Sequence, residues 1–317
     1  MSKKTIIVTW GAGFIGSNFL SKYVLLFPDI KFVNIDALTY AGNIEKISPE
    51  ARKVSNYSFE QADICDIEDM RSIYRKYEPT DVIHFAAESH VDNSIRNPRL
   101  FMEVNTLGTN ILLDLHREFQ MNRFHYISTD EIYGDIPESG FFTEETPIAP
   151  SSPYSASKAG GDILTQAYGR TFWVNYTITR CSNNYGANQN LISLIPLFIS
   201  KIQKDEPVPL YGDGSNIRDW LYVEDHSDAI WEVFTRAKKS SIYNIGWNNE
   251  YTNLEITRIL LEAMGKWEDL ISFVPDRPGH DKRYAIDASK IRDELGWAPK
   301  VKFEEGIVRT VEFYNQK

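Results

Sequence analysis

Cysteine is nearly absent from the 317 residues: Cys65 and Cys181 stand far apart, with no CxxC and no second cluster. Two isolated thiols exclude a disulfide-framed secreted domain and read as free cysteines of a reducing cytoplasm. The six histidines, at 84, 90, 116, 125, 226 and 280, show neither HxxxH nor HExxH spacing, so no structural metal site is expected. Positive charge is in deficit, since 34 Lys and Arg against 44 Asp and Glu leave a net charge of −10. Nucleic acid and anionic membranes ask for a basic face, so neither is an expected partner, whereas an anionic small molecule needs only a locally positive pocket. No stretch approaches the roughly 18 apolar residues of a membrane span. The opening Met1-Ser2-Lys3-Lys4 runs into a short apolar strand without the long apolar segment of a signal peptide, so a soluble, cytoplasmic protein is expected.

What is present is an alternation of strand and helix patterns. Thr5–Thr9 is a short β-branched run, residues 13–26 have apolar positions at helical spacing, and 31–35 is a second strand. Helical patterns at 70–77, 105–119 and 155–172 are interleaved with strands at 81–86, 124–128 and 176–180. Short apolar strands between helices imply a parallel sheet covered on both faces. Beyond about residue 183 the pattern loosens into turn-rich stretches with two helices near 194–203 and 253–264. The expected class is α/β: a Rossmann-type doubly wound parallel sheet with a smaller α+β substrate lobe. Residues 1–183, with 216–240 returning to them, are expected to form the dinucleotide-binding domain, and 184–215 with 241–317 the lobe.

The first strand leads into Gly11-Ala12-Gly13-Phe14-Ile15-Gly16 and then a helix, which places GxGxxG in a strand–turn–helix setting. Such glycines let the backbone turn tightly and approach a pyrophosphate whose charge rests at the helix N-terminus. Asp36 ends the second strand 20 residues after Gly16. A carboxylate there accepts from ribose hydroxyls and repels a 2′-phosphate, which favours NAD over NADP. Asp63-Ile64 follows a third extended segment at 57–59, and Asp63 reads equally as a neighbour of an adenine ring or as a plain surface carboxylate. Phe85-Ala86-Ala87 ends the fourth strand, where small residues let a flat cofactor lie over the strand ends.

Tyr154 and Lys158 form a YxxxK pair at the start of a helix, four residues apart and so on one face. An ammonium beside a phenol favours the phenolate and is expected to lower the Tyr154 pKa, so that the phenolate takes a hydroxyl proton while hydride leaves the same carbon. Ser128-Thr129-Asp130-Glu131 ends the strand before that helix. Two adjacent carboxyls at a sheet edge are costly unless solvated or used, and one kept protonated beside one ionised makes an acid–base pair. The plain alternative is a solvated loop with a helix cap.

These stretches resemble the extended short-chain dehydrogenase/reductase family and, within it, the dTDP-glucose 4,6-dehydratases. The likeness is carried by Asp36-Ala-Leu-Thr-Tyr-Ala-Gly-Asn43, Phe85-Ala-Ala-Glu-Ser-His-Val-Asp92, Ser128-Thr-Asp-Glu-Ile-Tyr-Gly134, Ser152-Pro-Tyr-Ser-Ala-Ser-Lys158, Arg180-Cys-Ser-Asn-Asn-Tyr-Gly186, Leu210-Tyr-Gly-Asp-Gly214, Ile217-Arg-Asp-Trp-Leu-Tyr-Val-Glu-Asp-His226 and Asp276-Arg-Pro-Gly-His-Asp281. Sugar-nucleotide epimerases of this family usually lack the Asp-Glu pair, so that pair discriminates. The resemblance implies that Tyr154, with Thr129 bonding nearby, takes the proton of the sugar 4-hydroxyl as hydride moves to NAD. Glu131 then removes the C5 proton, Asp130 protonates the departing 6-hydroxyl, and hydride returns to C6 and a proton to C5, turning dTDP-glucose into dTDP-4-keto-6-deoxyglucose. It further implies that Ser89, Asn183, Tyr211, Arg218, Asn253, Arg277 and His280 hold the nucleotide sugar, and that a homodimer forms through the helices near 105–119 and 155–172.

Departures from the family pattern fall at Trp10, where the first glycine of GxxGxxG is usual, and at Trp247, where glycine is also usual. Trp10 is expected either to crowd the pyrophosphate or to point away, since a strand end does not always need φ above zero. Trp247 is expected to alter the wall of the nucleotide lobe. Ile192-Ser193 replaces a usual Glu-Lys and Ala187 a usual proline, which keeps a UDP- or GDP-linked hexose or N-acetylhexosamine open as substrate. A 4-epimerase and a non-catalytic NAD-binding protein are the competing readings.

Overall fold

The computed structural model describes residues 4–136 and 139–316. Strands β1 (Thr5–Thr9), β2 (Lys31–Asp36), β3 (Tyr57–Gln61), β4 (Asp81–His84), β5 (Arg123–Thr129) and β6 (Tyr176–Cys181) form one sheet with a further strand, Ser241–Ile245. The order across it is Ser241–Ile245, β6, β5, β4, β1, β2, β3, and every pairing is parallel. Parallel neighbours need crossover connections, and helices therefore cover both faces. Covered on both sides, β1, β4 and β6 have no solvent face and are buried at every residue. Successive side chains of β1 feed opposite cores: Ile7 packs with Val33, Val82, Leu112, Phe124 and Ile178, and Ile6 and Val8 with Phe19, Phe32, Ile83 and Trp231. The chain starts mid-sheet at β1, winds out to β3, and resumes on the other side at β4. This is the Rossmann-type order, whose switch point opens a crevice at the C-terminal strand ends between β1 and β4.

The second part holds a three-stranded sheet of Glu250–Thr252, Ile217–Tyr222 and Asn183–Tyr185, and a two-stranded one of Val208–Tyr211 with Ile271–Val274. Helices Leu194–Gln203, Asn253–Ala263 and Phe303–Asn315 pack on them around Tyr185, Ile199, Trp220, Leu260 and Phe303.

The boundaries differ from expectation in two places. Ser241–Ile245, expected in the lobe, is an edge strand of the large sheet, in register with β6 from Ser241↔Thr177 to Ile245↔Cys181. Ile217–Tyr222, expected to return to that sheet, pairs instead with Asn183–Tyr185 and Glu250–Thr252. The helix that follows, Val223–Arg236, is what returns. Its Trp231 stacks on Tyr23 and lies tilted against Phe27, with ring centroids 4.7 and 4.5 Å apart, and its Asp228 accepts from Tyr23 Oη at 2.8 Å and from Lys22. The helix expected from residue 105 starts earlier, at Pro98, whose fixed φ suits a first helical position, and runs through a π-helical turn, Met102–Gly108, into Thr109–Glu118.

Candidate active site

The turn after β1 is held by the strand beside it. Gly11 N donates to Asn34 Oδ1 at 3.0 Å, and Ala12 N donates to Asp36 Oδ2 at 2.9 Å. Asp36 Oδ1 also accepts from Leu38 N at 2.8 Å, so this buried carboxyl braces the loop as well as facing it. Burial raises its pKa, while those backbone bonds and Lys46 pull it back. Trp10 opens the turn at φ +55, a left-handed conformation that costs a side chain roughly 1–2 kcal/mol and a glycine almost nothing. The position therefore does call for positive φ, contrary to the idea that a strand end could avoid it. Gly16 is required by contact, because a Cβ there would lie 2.5 Å from the Trp10 carbonyl oxygen.

Of the expected cofactor residues, Phe14, Ile15, Gly16, Ala87, Tyr154 and Lys158 line one cleft over the strand ends. Gly11, Gly13, Asp36, Asp63, Ile64 and Ala86 lie outside its lining. Asp63 is exposed and accepts from Cys65 N at 2.9 Å, while Ile64 is buried against Gly108. Ala86 N donates to Thr9 Oγ1 at 3.1 Å, tying the end of β4 to β1.

The chemical groups come from β5 and the helix after it. Thr129 ends β5 and caps a 3₁₀ turn, Asp130–Tyr133, accepting from Glu131 N at 3.3 Å. The helix Pro153–Phe172 begins with a reciprocal Ser152–Ser155 capping box and Pro153 in its first turn, which sets Tyr154 and Lys158 one turn apart near its start. Asn105 bolts this helix to the loop after β4: it accepts from Glu88 N at 2.8 Å and donates to Glu88 O at 2.9 Å and to Ser157 Oγ at 2.8 Å. Thr129, Asp130, Glu131, Tyr154 and Lys158 all line the cleft.

Their electrostatics depart from expectation at one point. Lys158 gives its ammonium to the Ile127 carbonyl at 2.6 Å and lies over the Tyr126 ring at 4.3 Å. Burial depresses it to about 8. Tyr154 is not lowered: burial and then Glu131 hold its pKa well above the usual 10.0, against a hydrogen bond with Thr129. In this state the phenol is neutral. Burial, Glu131 and Asp219 drive Asp130 well above the ordinary carboxyl range, opposed by Arg218 and Thr129. Glu131 is also raised by burial, with Arg277 and Arg218 pulling it down. The neighbouring Cys181 thiol is pushed up to about 12, chiefly by burial, which makes it an unreactive wall.

A second cleft meets the first at Glu131, Ser89 and Asn183, and Tyr211, Arg218, Asn253, Arg277 and His280 line it as well. Arg218 donates to the carbonyls of Ile217 (2.7 Å) and Asp281 (2.9 Å) and lies 4.2 Å over the Tyr284 ring. Asp92, which sequence reasoning passed over, accepts from Tyr211 Oη at 3.1 Å and stands 3.9 Å from Arg277 Nη1. Tyr40, Lys46, His90 and Gln189 in the first cleft were missed too. Asp92 closes one of the stretches quoted above, and that was its signal; Gln189 sits in an unpatterned turn. Ile192 and Ser193 line both clefts, so that departure bears on substrate fit. Trp247 lines neither; its backbone N–H donates to buried Asp219 at 3.0 Å, so it does not shape the nucleotide wall as expected.

Ser128 Oγ and Asp130 Oδ2 in the first cleft, with Asn253 Oδ1 and Arg277 Nη1 in the second, are buried without a hydrogen-bond partner. Each such group costs about 1–3 kcal/mol, so both clefts are built for a polar occupant. Among the described residues no group of three or more His, Cys, Asp or Glu could hold a metal ion.

Residues 7–310 match the family model described as GDP-mannose 4,6 dehydratase. The chain is 46% identical to the dTDP-glucose 4,6-dehydratase of Neisseria gonorrhoeae, over 98% of this chain and 96% of the relative. It is 45% identical to that of Haemophilus influenzae, over 98% and 97%. Among solved structures, the dTDP-glucose 4,6-dehydratase of Streptomyces venezuelae with NAD bound is similar at a TM-score of 0.95 and 42% identity, over 98% of this chain and 97% of that one. The UDP-glucose 4-epimerase of Thermus thermophilus, also with NAD, reaches a TM-score of 0.90 at 32% identity, over 98% and 99%. Dehydratases and epimerases share this fold, so the residues of the cleft must separate them.

Proposed function

The chain belongs to the GDP-mannose 4,6 dehydratase family, and from that premise we propose that it is an NAD-dependent 4,6-dehydratase converting dTDP-glucose to dTDP-4-keto-6-deoxyglucose. The observation that carries this is the pair Asp130–Glu131 in the cleft beside Tyr154: burial raises both carboxyls, Asp130 well above the ordinary range, while Arg277 and Arg218 draw Glu131 part of the way back. An acid beside a base is what loss of water across C5–C6 needs, and a 4-epimerase has no use for the pair.

The glycine turn, Asp36 and the partnerless Ser128 Oγ suit a dinucleotide with two ribose diols and a carboxamide. NAD, when bound, supplies an acceptor and then a donor of hydride, so none is consumed. The rest of the chemistry belongs to side chains. Tyr154, hydrogen-bonded to Thr129, moves the proton at the sugar 4-oxygen, and Lys158 sets a positive charge in the same cleft. Glu131 takes the C5 proton acidified by the 4-ketone, Asp130, held protonated by its surroundings, gives its proton to the departing 6-oxygen, and a proton returns to C5 to complete the product. Arg218 and Arg277 offer the local positive charge that a diphosphate needs in a net acidic protein, with Ser89, Asn183, Tyr211, Asn253 and His280 around it.

The division of labour is part of the same proposal: residues 1–183 with the helix Val223–Arg236 and the strand Ser241–Ile245 for NAD, and 184–215 with Ile217–Tyr222 and the rest of 241–317 for the nucleotide sugar. A homodimer is proposed through the helices near 105–119 and 155–172, supported by exposed apolar Leu107 and Ile163. A cytoplasmic site of action is proposed from the two free thiols; no described helix is long and apolar enough to cross a membrane.

The test is incubation with dTDP-glucose, UDP-glucose, UDP-N-acetylglucosamine and the GDP counterparts, followed by mass measurement. Loss of one water from dTDP-glucose without net reduction of NAD is expected. Conversion without a change in mass sinks the dehydratase reading in favour of an epimerase, and turnover confined to a UDP or GDP sugar replaces the substrate.

A further inference from the structure

The indole of Trp10 folds back over Gly13. A Cβ built on Gly13 would lie 2.8 Å from Cε2 of the ring and 2.9 Å from its Cδ2 and Nε1. In GxGxxG, Gly13 is the glycine whose missing side chain lets a dinucleotide diphosphate come against the backbone. Its bare face is thus covered by a side chain from three residues earlier. The turn beneath is intact, with Gly13 N donating to Trp10 O at 3.1 Å and Ser17 N to Gly13 O at 3.2 Å. The ring therefore does not replace the phosphate turn; it lies on top of it. It lines the same cleft as Phe14, Ile15 and Gly16 and is only partly buried, so solvent and cleft leave it room to turn.

On the reading that NAD is the cofactor, we propose that Trp10 is a built-in gate: its indole occupies the diphosphate's approach to Gly13 and turns away before NAD is seated. Apparent affinity is then reduced by the fraction of the chain in which the ring has turned. The backbone at φ +55 is one that glycine adopts freely, so Trp10→Gly removes the ring and keeps the turn.

The full chain, freed of bound nucleotide, is titrated with NAD by calorimetry as wild type and as Trp10→Gly. The variant is expected to bind at least about tenfold tighter, the gain for an open form populated at about a tenth or less. Tryptophan emission is followed in parallel in wild type and Trp10→Phe, and the NAD-induced change is expected to be larger in wild type. Equal or weaker binding by Trp10→Gly overturns the gate and leaves the NAD reading standing. Binding by neither protein overturns both. Should Trp10→Gly fail to fold, the emission comparison decides, because an identical change in wild type and Trp10→Phe means that the ring at position 10 does not move.

Discussion

Lys158 Nζ donates to the Ile127 carbonyl at 2.6 Å, while Tyr126 Oη donates back to the Lys158 carbonyl at 3.1 Å. Strand β5 and the helix bearing Tyr154 thus exchange two bonds immediately below the cleft. They fix where Thr129, the last residue of the strand, meets the phenol. A buried ammonium answered by one neutral carbonyl is a costly fastener, and that cost can be measured.

Burial depresses Lys158 to about 8 from 10.5. A folded pKa below the unfolded one means that the unfolded chain holds more protons between those values, so wild-type stability rises as pH climbs from about 8 to 10.5 and the charge is a burden below about 8. At 1.36 kcal/mol per unit the burden is on the order of 3 kcal/mol, less roughly 1 kcal/mol for the bond to Ile127. Lys158→Met is therefore expected to be more stable than wild type at pH 7 by about 1–2 kcal/mol, with the difference shrinking as pH rises from about 8 to 10.5, and slower in turnover by roughly 10²–10⁴. Urea unfolding at the two pH values checks it; a less stable variant at pH 7 refutes the sign.

Glu131→Gln removes the proposed C5 base and keeps its shape. Water loss is expected to slow by roughly 10²–10⁴, while NAD binding is unchanged because the residue stands at the second cleft's mouth rather than in the glycine turn. Mass measurement of the sugar nucleotide, with calorimetry of NAD binding, reads both. Turnover at the wild-type rate removes Glu131 from its role.

Asp130→Asn tests the protonated acid. The folded pKa of Asp130 is raised well above 3.8 by burial, Glu131 and Asp219, so its contribution is present below the unfolded pKa and is lost as pH rises towards the folded one. The amide carries no such penalty. The variant is expected to unfold at a higher temperature than wild type at pH 7, with the gap closing near pH 3.8, and to be inactive in dehydration. Calorimetric scans across pH decide, and a gap that widens at low pH contradicts the assignment.

What the chain discloses before folding is unevenly spread. The glycine turn, Asp36, and the Tyr154–Lys158 spacing are local patterns, and local patterns survive in a sequence. The strand Asn183–Tyr185 is three polar and aromatic residues that become a strand only by pairing with Trp220–Tyr222, far along the chain, and nothing in them announces it. Ser241–Ile245 was set in the wrong part for the same reason: its partner Tyr176–Cys181 is fixed by tertiary contact, not by its own pattern. Spacing placed Lys158 on the face of Tyr154 but could not say that its ammonium answers Ile127. The identity of Trp10 was plain, whereas its φ and the ring over Gly13 belong to three dimensions.

Arg180 and Asp162 make the last and most structural of these tests. The guanidinium meets the carboxylate through two bonds of 3.0 Å, with side chains 2% and 0% exposed, and its remaining arm donates to Tyr133 Oη at 2.8 Å. One pair thereby joins β6, the helix carrying Tyr154, and the turn that presents Asp130 and Glu131. Desolvation of both ions consumes most of the attraction between them, so the pair adds little net stability, yet a widowed member is left charged in the core. Asp162→Ala is expected to destabilise by about 3–5 kcal/mol, a large share of the roughly 5–15 kcal/mol that holds a protein folded. Asp162→Leu with Arg180→Met removes both charges and is expected to regain most of that loss. Turnover should not return with stability, because the methionine cannot hold Tyr133 and the turn beside it. Urea unfolding of the single and double variants, with turnover measured on each, separates the two roles: a double variant as unstable as the single one would mean that the pair itself holds the core together.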